Sequence, residues 1–396
     1  TFFLSLSLQM GNASETSFIS KISKEHDVLL GIIYTIIGVF SLIGNTVLLL
    51  VAFQKKSSLK PAEFFIVNLS VSDLGMTISL FPFAISSAFF HRWLFTESVC
   101  VCYAFFGVLF GLCSLSNLTV LSSVCWIKVC CPNYGNKFSS CHAVLLVFGV
   151  WCYSSIFAVG PLSGWGQYNY EPYGTACCID WFAPHNSPLA MSYLICLFFF
   201  CYIVPCTIIF LSYASILVTV RGSQQAVQQH VSPKNKITKA QSHIVKLSVA
   251  VCVGFLLAWS PYAAVSMWAA FVNPDAVPPI AFAAAAVFAK SSTLYNPLVY
   301  LGFKPNFRRS LQRRMVSSSL HQTETMRKHA DKETCHSAHN SSEPHKNHQT
   351  CKYFLEHTPA HCLEIMPQST IRILTGCMNS EVAVSQMSNE IQSDFI

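Results

Sequence analysis

The 396-residue chain is 52% hydrophobic and only 11% charged, with a formal net charge of +7. Soluble domains carry about a quarter charged residues, so an ordinary soluble protein is excluded. The basic residues lie beside long apolar runs, which suits orientation in a bilayer and gives no reason to expect a nucleic-acid partner.

The chain opens at Thr1. Met10 is expected to be the biological start, with residues 1–9 artefactual. That stretch lacks the basic flank of a signal peptide. Met10-Gly11 completes no myristoylation motif, because Glu15 stands where Ser or Thr is needed. Residues 1–27 form an N-terminal segment carrying the sequon Asn12-Ala13-Ser14.

Seven apolar runs follow, near 28–53, 64–90, 99–127, 142–162, 189–219, 243–270 and 278–302. Each reaches the roughly 20 residues that span a hydrocarbon core. Unpaired backbone is too costly in lipid, so the runs must be helices. The fold class is an all-α membrane protein: a seven-transmembrane helix bundle over 28–303. A short amphipathic helix is expected over 304–315. The tail, 316–396, is rich in Ser, Thr, His and Asn and reads as disordered.

Charge in the loops sets the direction. Lys55, Lys56 and Lys60 follow span 1, Lys128 and Lys137 follow span 3, and Arg221, Lys234, Lys236 and Lys239 follow span 5. Lys304, Arg308, Arg309, Arg313 and Arg314 follow span 7, whereas the opposite loops carry little beyond Arg92. The positive-inside rule places the N-terminus outside the plasma membrane and the tail in the cytoplasm. Asn12 is then on the side where glycosylation occurs. The matching triplets at Asn68 and Asn117 fall inside spans and the one at Asn340 in the tail, so all three are read as chance.

Eighteen cysteines show no metal-ligand spacing. Cys130-Cys131 and Cys177-Cys178 are adjacent pairs, and most others lie in apolar runs as small hydrophobes.

Polar residues inside the spans are costly and usually face the bundle interior. Asn45 stands in span 1, Asp73 in span 2, Ser114 in span 3, and Asn296-Pro297-Leu298-Val299-Tyr300 ends span 7. A mid-membrane cluster of Asn45, Asp73, Ser114 and Asn296 is expected, either as glue between helices or as part of a switch. Pro205, Pro261 and Pro297 remove helix hydrogen bonds and introduce kinks. With Trp151, Tyr213 and Phe255-x-x-x-Trp259-x-Pro261, these landmarks resemble the rhodopsin-like G-protein-coupled receptors over roughly 28–315. The resemblance implies a switch between two packings in which Tyr213 and Tyr300 meet. It also implies a disulfide from Cys100 to the loop after span 4, at Cys177 with Cys178 as the neighbouring alternative.

Lys290 lies in the apolar run Ala283 to Ala289 and beyond, six residues before Asn296. An ammonium there costs several kcal/mol without a partner. A desolvated lysine is also a good Schiff-base amine. The chain is therefore similar to the opsins, whose retinal-bearing lysine has this spacing from Asn-Pro-x-x-Tyr. Covalently bound retinal, 11-cis or all-trans, follows as the expected cofactor. Tyr103, Gly107, Trp259, Tyr262 and Ala286 are its expected pocket. A protonated Schiff base needs a counter-ion. Tyr103 occupies the place of the glutamate that many visual opsins carry in span 3, which leaves Glu171 in the loop, with Asp180 as second choice. The strings Glu171-Pro172-Tyr173-Gly174-Thr175 and Ala289-Lys290-Ser291-Ser292 look like the neuropsin group of non-visual opsins.

The chain departs from that pattern at the cytoplasmic end of span 3. Val124-Cys125-Trp126 stands where the superfamily has Asp/Glu-Arg-Tyr, and Gln241 stands where span 6 usually supplies an acid. Loss of this ionic lock favours basal activity, while loss of the arginine weakens coupling. The expected function is a light-sensing receptor, not an enzyme. Its implied partners are a heterotrimeric G protein, arrestin and receptor kinase on the tail, and membrane lipid. A retinal photoisomerase or store and a receptor for a diffusible ligand are the alternatives.

Overall fold

The computed structural model describes residues 19–54, 59–229, 235–272 and 277–303, with side chains for all of these except 223–229, 235–244 and 300–303. Seven long helices run in chain order: α1 (Lys24–Gln54), α2 (Pro61–Phe89), α3 (Glu97–Cys130), α4 (Ser140–Val159), α5, α6 (Asn235–Phe271) and α7 (Pro279–Phe303). Helix α5 runs as Pro188–Phe198, a π-turn over Phe199–Ile203, and Val204–Gln229. Each expected span is present, and α5 and α6 project past their apolar runs at the end opposite the β-hairpin. The helix expected over 304–315, the sequon at Asn12 and the tail lie outside the described residues.

Apolar side chains cover the outside of the bundle. Phe40 on α1, Leu145 and Phe148 on α4, Phe210 on α5 and Leu257 on α6 are all exposed. Asn45, Asp73, Asn117, Lys290 and Asn296 are buried within. This inversion of the water-soluble pattern is what lipid demands, because tails solvate apolar side chains but leave polar groups unmatched. The sequons at Asn68 and Asn117 are engaged in packing. Asn68 Nδ2 donates to Asn117 Oδ1 at 3.0 Å, and the Trp151 indole donates to Asn68 Oδ1 at 2.8 Å. These bonds tie α2, α3 and α4 together.

Without a hydrophobic driving force between helices, close backbone approach matters more. At Gly44 a Cβ would meet the Pro297 ring at 2.7 Å, so α1 and α7 touch where glycine leaves room. The π-turn in α5 has a local cause. Pro205 would clash with the carbonyl of Cys201, and widening the preceding turn relieves the clash.

The connection from α4 to α5 closes one end of the bundle. Strands β1 (Tyr168–Tyr170) and β2 (Cys177–Ile179) pair antiparallel, with Tyr170 opposite Cys177. The turn between them is fixed by Glu171 N donating to Ala176 O at 2.8 Å, and by Gly174 at φ +93°, a backbone region in which a side chain is strained. A disulfide joins Cys100, near the start of α3, to Cys177, with Cα atoms 5.4 Å apart. The neighbouring Cys178 remains a free buried thiol donating to Ile179 O. The N-terminal residues add a further layer: Ser20 N donates to His91 O, and Lys21 N donates to Tyr173 O, both at 3.1 Å. Asp27 of α1 pairs with His91 beneath them.

Candidate functional site

Under the hairpin lies an apolar cavity between α3, α5, α6 and α7. Its lining includes Met76, Leu80, Val108, Leu112, Leu197, Phe198, Phe255 and Ala263. Tyr103, Gly107, Trp259, Tyr262 and Ala286, expected from the sequence to form a pocket, all line it. Among the lining residues, Glu171 and Lys290 alone belong to the charged types.

Helix α7 carries Lys290 inward because its apolar neighbours Ala285, Ala286 and Ala289 share the buried side. The Nζ atom stands over the Tyr34 ring at 5.4 Å from its centroid and over the Tyr103 ring at 6.0 Å. The hairpin turn lowers Glu171 into the same space, where it is only 3% exposed. The Tyr262 hydroxyl donates to Glu171 Oε1 at 2.6 Å, while Oε2 is buried with no donor. An unmatched buried carboxylate oxygen is expensive and marks a place where a further donor belongs. Burial raises the carboxyl of Glu171 above its usual range; the Lys290 charge, the Tyr262 hydroxyl and the Cys178 thiol each oppose that rise. The carboxylate and the amine make no direct ion pair.

Asp180 is used differently. Its Oδ1 accepts from Phe182 N at 2.9 Å and Ala183 N at 3.0 Å, and its Oδ2 accepts from Asn169 Nδ2 at 3.0 Å. Those bonds all stay within the loop. Trp259 forms one wall of the cavity: its indole donates to Ser292 Oγ at 3.1 Å and it stacks on Phe255. At Gly111 a Cβ would meet that indole at 2.9 Å, so α3 must be bare there.

Below the cavity, Asp73 and Asn296 are hydrogen-bonded to each other. Asn45 Nδ2 donates to Thr293 O at 3.0 Å, and Ser41 and Thr77 hydroxyls are 2.7 Å apart. Ser114 Oγ and Asn45 Oδ1 are buried without protein partners. The expected cluster thus links α1, α2 and α7 directly, with Ser114 contributing no bond of its own.

The profile of the 7 transmembrane receptor (rhodopsin family) matches residues 44–300. The chain is 37% identical to "Opsin-5" of Mus musculus over 72% of its own length and 76% of that protein. It is 31% identical to "Visual pigment-like receptor peropsin" of Mus musculus, over 76% and 87% of the two chains. The crystal structure of squid rhodopsin superposes with a TM-score of 0.68 at 29% identity, covering 74% of this chain and 87% of that one. The chain is an opsin of the rhodopsin family. Its similarity to Opsin-5 agrees with the resemblance to the neuropsin group.

The far end of this opsin lies away from the hairpin. Val124 and Cys125 are buried on α3, and Cys125 Sγ lies 3.4 Å from Ser248 Oγ on α6. A thiol–hydroxyl contact therefore joins α3 to α6. Trp126 is exposed. Tyr213 places its hydroxyl 3.5 Å from Cys252 Sγ. The side chains of Gln241 and Tyr300 lie outside the described residues. Sequence reasoning missed Tyr34, whose ring faces Lys290. A tyrosine inside an apolar run marks an inward-facing position, but its partner was not legible.

Proposed function

We propose that this opsin senses light through retinal held covalently on the Lys290 amine, with Glu171 as counter-ion, and that it signals to a heterotrimeric G protein. The observation that carries the reading is the cavity itself: an apolar slot whose two charge-bearing residues are a buried amine and a buried carboxylate with one oxygen lacking a donor. These residues fit the group. An aldehyde-bearing polyene needs an amine at one end and a dry apolar sleeve along its length. Bound as a Schiff base, 11-cis- or all-trans-retinal would supply the light-driven isomerisation.

The chain's own residues do the rest. Lys290 holds a proton at Nζ; Glu171 compensates its charge; Tyr262 fixes the carboxylate. Trp259 lines the cavity and donates to Ser292, one helical turn before Asn296, so it is the side chain through which strain would pass. Pro205, Pro261 and Pro297 are the points at which α5, α6 and α7 would shift, bringing Tyr213 toward Tyr300. The basic loops orient the hairpin outward at the plasma membrane, and the Cys100–Cys177 disulfide suits that oxidising side. On this orientation Asn12 accepts glycan and the tail meets arrestin and receptor kinase.

A second reading is favoured by one observation. Cys125, packed against Ser248, occupies the place of the arginine that meets the G protein. The opsin would then serve as a photoisomerase or retinal store with weak coupling. Purified protein incubated with 11-cis- and all-trans-retinal and scanned for absorbance tests the retinal reading; absence of any pigment would point to a diffusible ligand. Light-dependent GTP exchange on a G protein then separates the two opsin readings.

A further inference from the structure

Resting on that reading, we infer that the ring face of Tyr34 is an electrostatic partner of the positive charge at Lys290, forming with Tyr103 an aromatic clamp. Lys290 Nζ lies 5.4 Å from the Tyr34 centroid and 6.0 Å from that of Tyr103. Both distances are within the roughly 6 Å at which a cation is attracted to the negative face of an aromatic ring. Tyr34 is 1% exposed and Tyr103 3% exposed, so water does not screen the attraction.

Neighbouring aromatics hold both rings in place. Phe81 of α2 meets Tyr34 edge-on at 6.1 Å and 83°. Phe81 in turn rests against Gly38, where a Cβ would stand 3.0 Å from its ring. Trp93 meets Tyr103 edge-on at 5.4 Å and 77°. The geometry thus spends two further aromatic side chains and a glycine on presenting two ring faces to one nitrogen.

The clamp answers a specific deficit. Glu171 makes no ion pair with Lys290, and α3 offers Tyr103 in place of an acid. The titratable groups around Nζ and its two rings are Glu171, Tyr173 and Cys178 from the hairpin, Tyr262 from α6, Asp27 from α1, and Tyr34 and Tyr103 themselves. From α2, Phe81 packs on Tyr34, Met76 and Leu80 line the cavity, and Asp73 is engaged by Asn296. Glu171 is the carboxylic acid among these that lines the cavity with Lys290, and it makes no direct ion pair with Nζ. Two ring faces within about 6 Å of Nζ add an attraction that does not depend on the ionisation of a carboxyl.

The test uses the full-length protein with 11-cis-retinal and reads the pH at which the visible band gives way to the near-ultraviolet band. Tyr34→Leu should move that midpoint to lower pH by about one unit, the size of a desolvated cation–π contact. Tyr34→Phe, which keeps the ring, should stay within a few tenths of wild type. If Tyr34→Leu does not fold, phenylalanines bearing one, two and three fluorines at position 34 keep the shape while draining the ring face. Their midpoints should fall stepwise. A flat fluorine series, or Tyr34→Phe displaced as far as Tyr34→Leu, would overturn the inference, the latter because the hydroxyl would then be the active group. The retinal-free protein gives an independent readout: reductive methylation of Lys290, followed by mass spectrometry against pH, should reach half its maximal rate at lower pH in the Leu variant. Failure of even wild-type protein to form a pigment would sink the retinal reading, while the methylation profile would still judge the clamp.

Discussion

Glu171→Gln is the most informative single change at this site. It preserves the side chain's length and an oxygen for the Tyr262 hydroxyl, and removes one negative charge from a cavity that is otherwise apolar. The magnitude has an upper bound. Two unit charges at about 4 Å interact by roughly 4 kcal/mol at an effective dielectric near 20. Glu171 and Lys290 are farther apart than direct contact, so the loss is smaller, and at about 1.4 kcal/mol per unit it corresponds to a fall of about one to two pH units. The assay is a pH titration of the dark pigment. The visible band of the variant should convert to the near-ultraviolet at that much lower pH, and Asp180→Asn should leave the titration unchanged because its carboxylate is consumed by loop hydrogen bonds. A wild-type titration in Glu171→Gln together with a displaced one in Asp180→Asn would refute the reasoning and reassign the counter-ion.

Lys290→Ala should give a folded membrane protein with no covalent pigment; a borohydride-stable retinal adduct on another lysine would contradict the assignment. The dark 11-cis pigment should absorb in the visible at neutral pH, and Phe81→Lys should shift it toward the ultraviolet, because the new ammonium would arise beside Tyr34 and compete for the same ring and carboxylate. An ultraviolet peak in the unaltered protein would count against this. Replacing Val124, Cys125 and Trp126 by Asp, Arg and Tyr should raise light-dependent nucleotide exchange, since the arginine gains an adjacent acid as well as its usual place; equal exchange before and after would show that coupling uses other contacts. Without retinal, stability should fall as pH climbs from the ordinary carboxyl value of 4.5. Burial raises the Glu171 carboxyl in the fold, so the unfolded chain ionises it first and the folded state binds more protons until the folded group ionises too. Glu171→Gln should flatten that slope in thermal melts, and an unchanged slope would argue that Glu171 ionises freely.

What the sequence determined by itself was whatever lipid enforces residue by residue. The apolar runs, the polar residues within them and Lys290 six residues before Asn296 are one-dimensional facts, and a bilayer permits few structures for them. Hence the seven helices and the inward placement of Asn45, Asp73, Lys290 and Asn296 were legible. Contacts between residues far apart in the chain were not. Adjacent Cys177 and Cys178 offer the same chemistry; the family resemblance favoured Cys177, and the register of the hairpin, with Cys177 opposite Tyr170, supplies the physical reason that it meets Cys100. Glu171 and Asp180 are likewise two acids in one loop. The turn at Gly174 buries the first in the cavity, whereas backbone amides capture the second. Tyr34 was invisible as a partner of Lys290 because their meeting depends on α1 packing against α7, which the close approach at Gly44 and Pro297 allows. Side-chain type and spacing set which groups must be inside the bundle, but only the packing of helices from opposite ends of the chain decides which of them face one another.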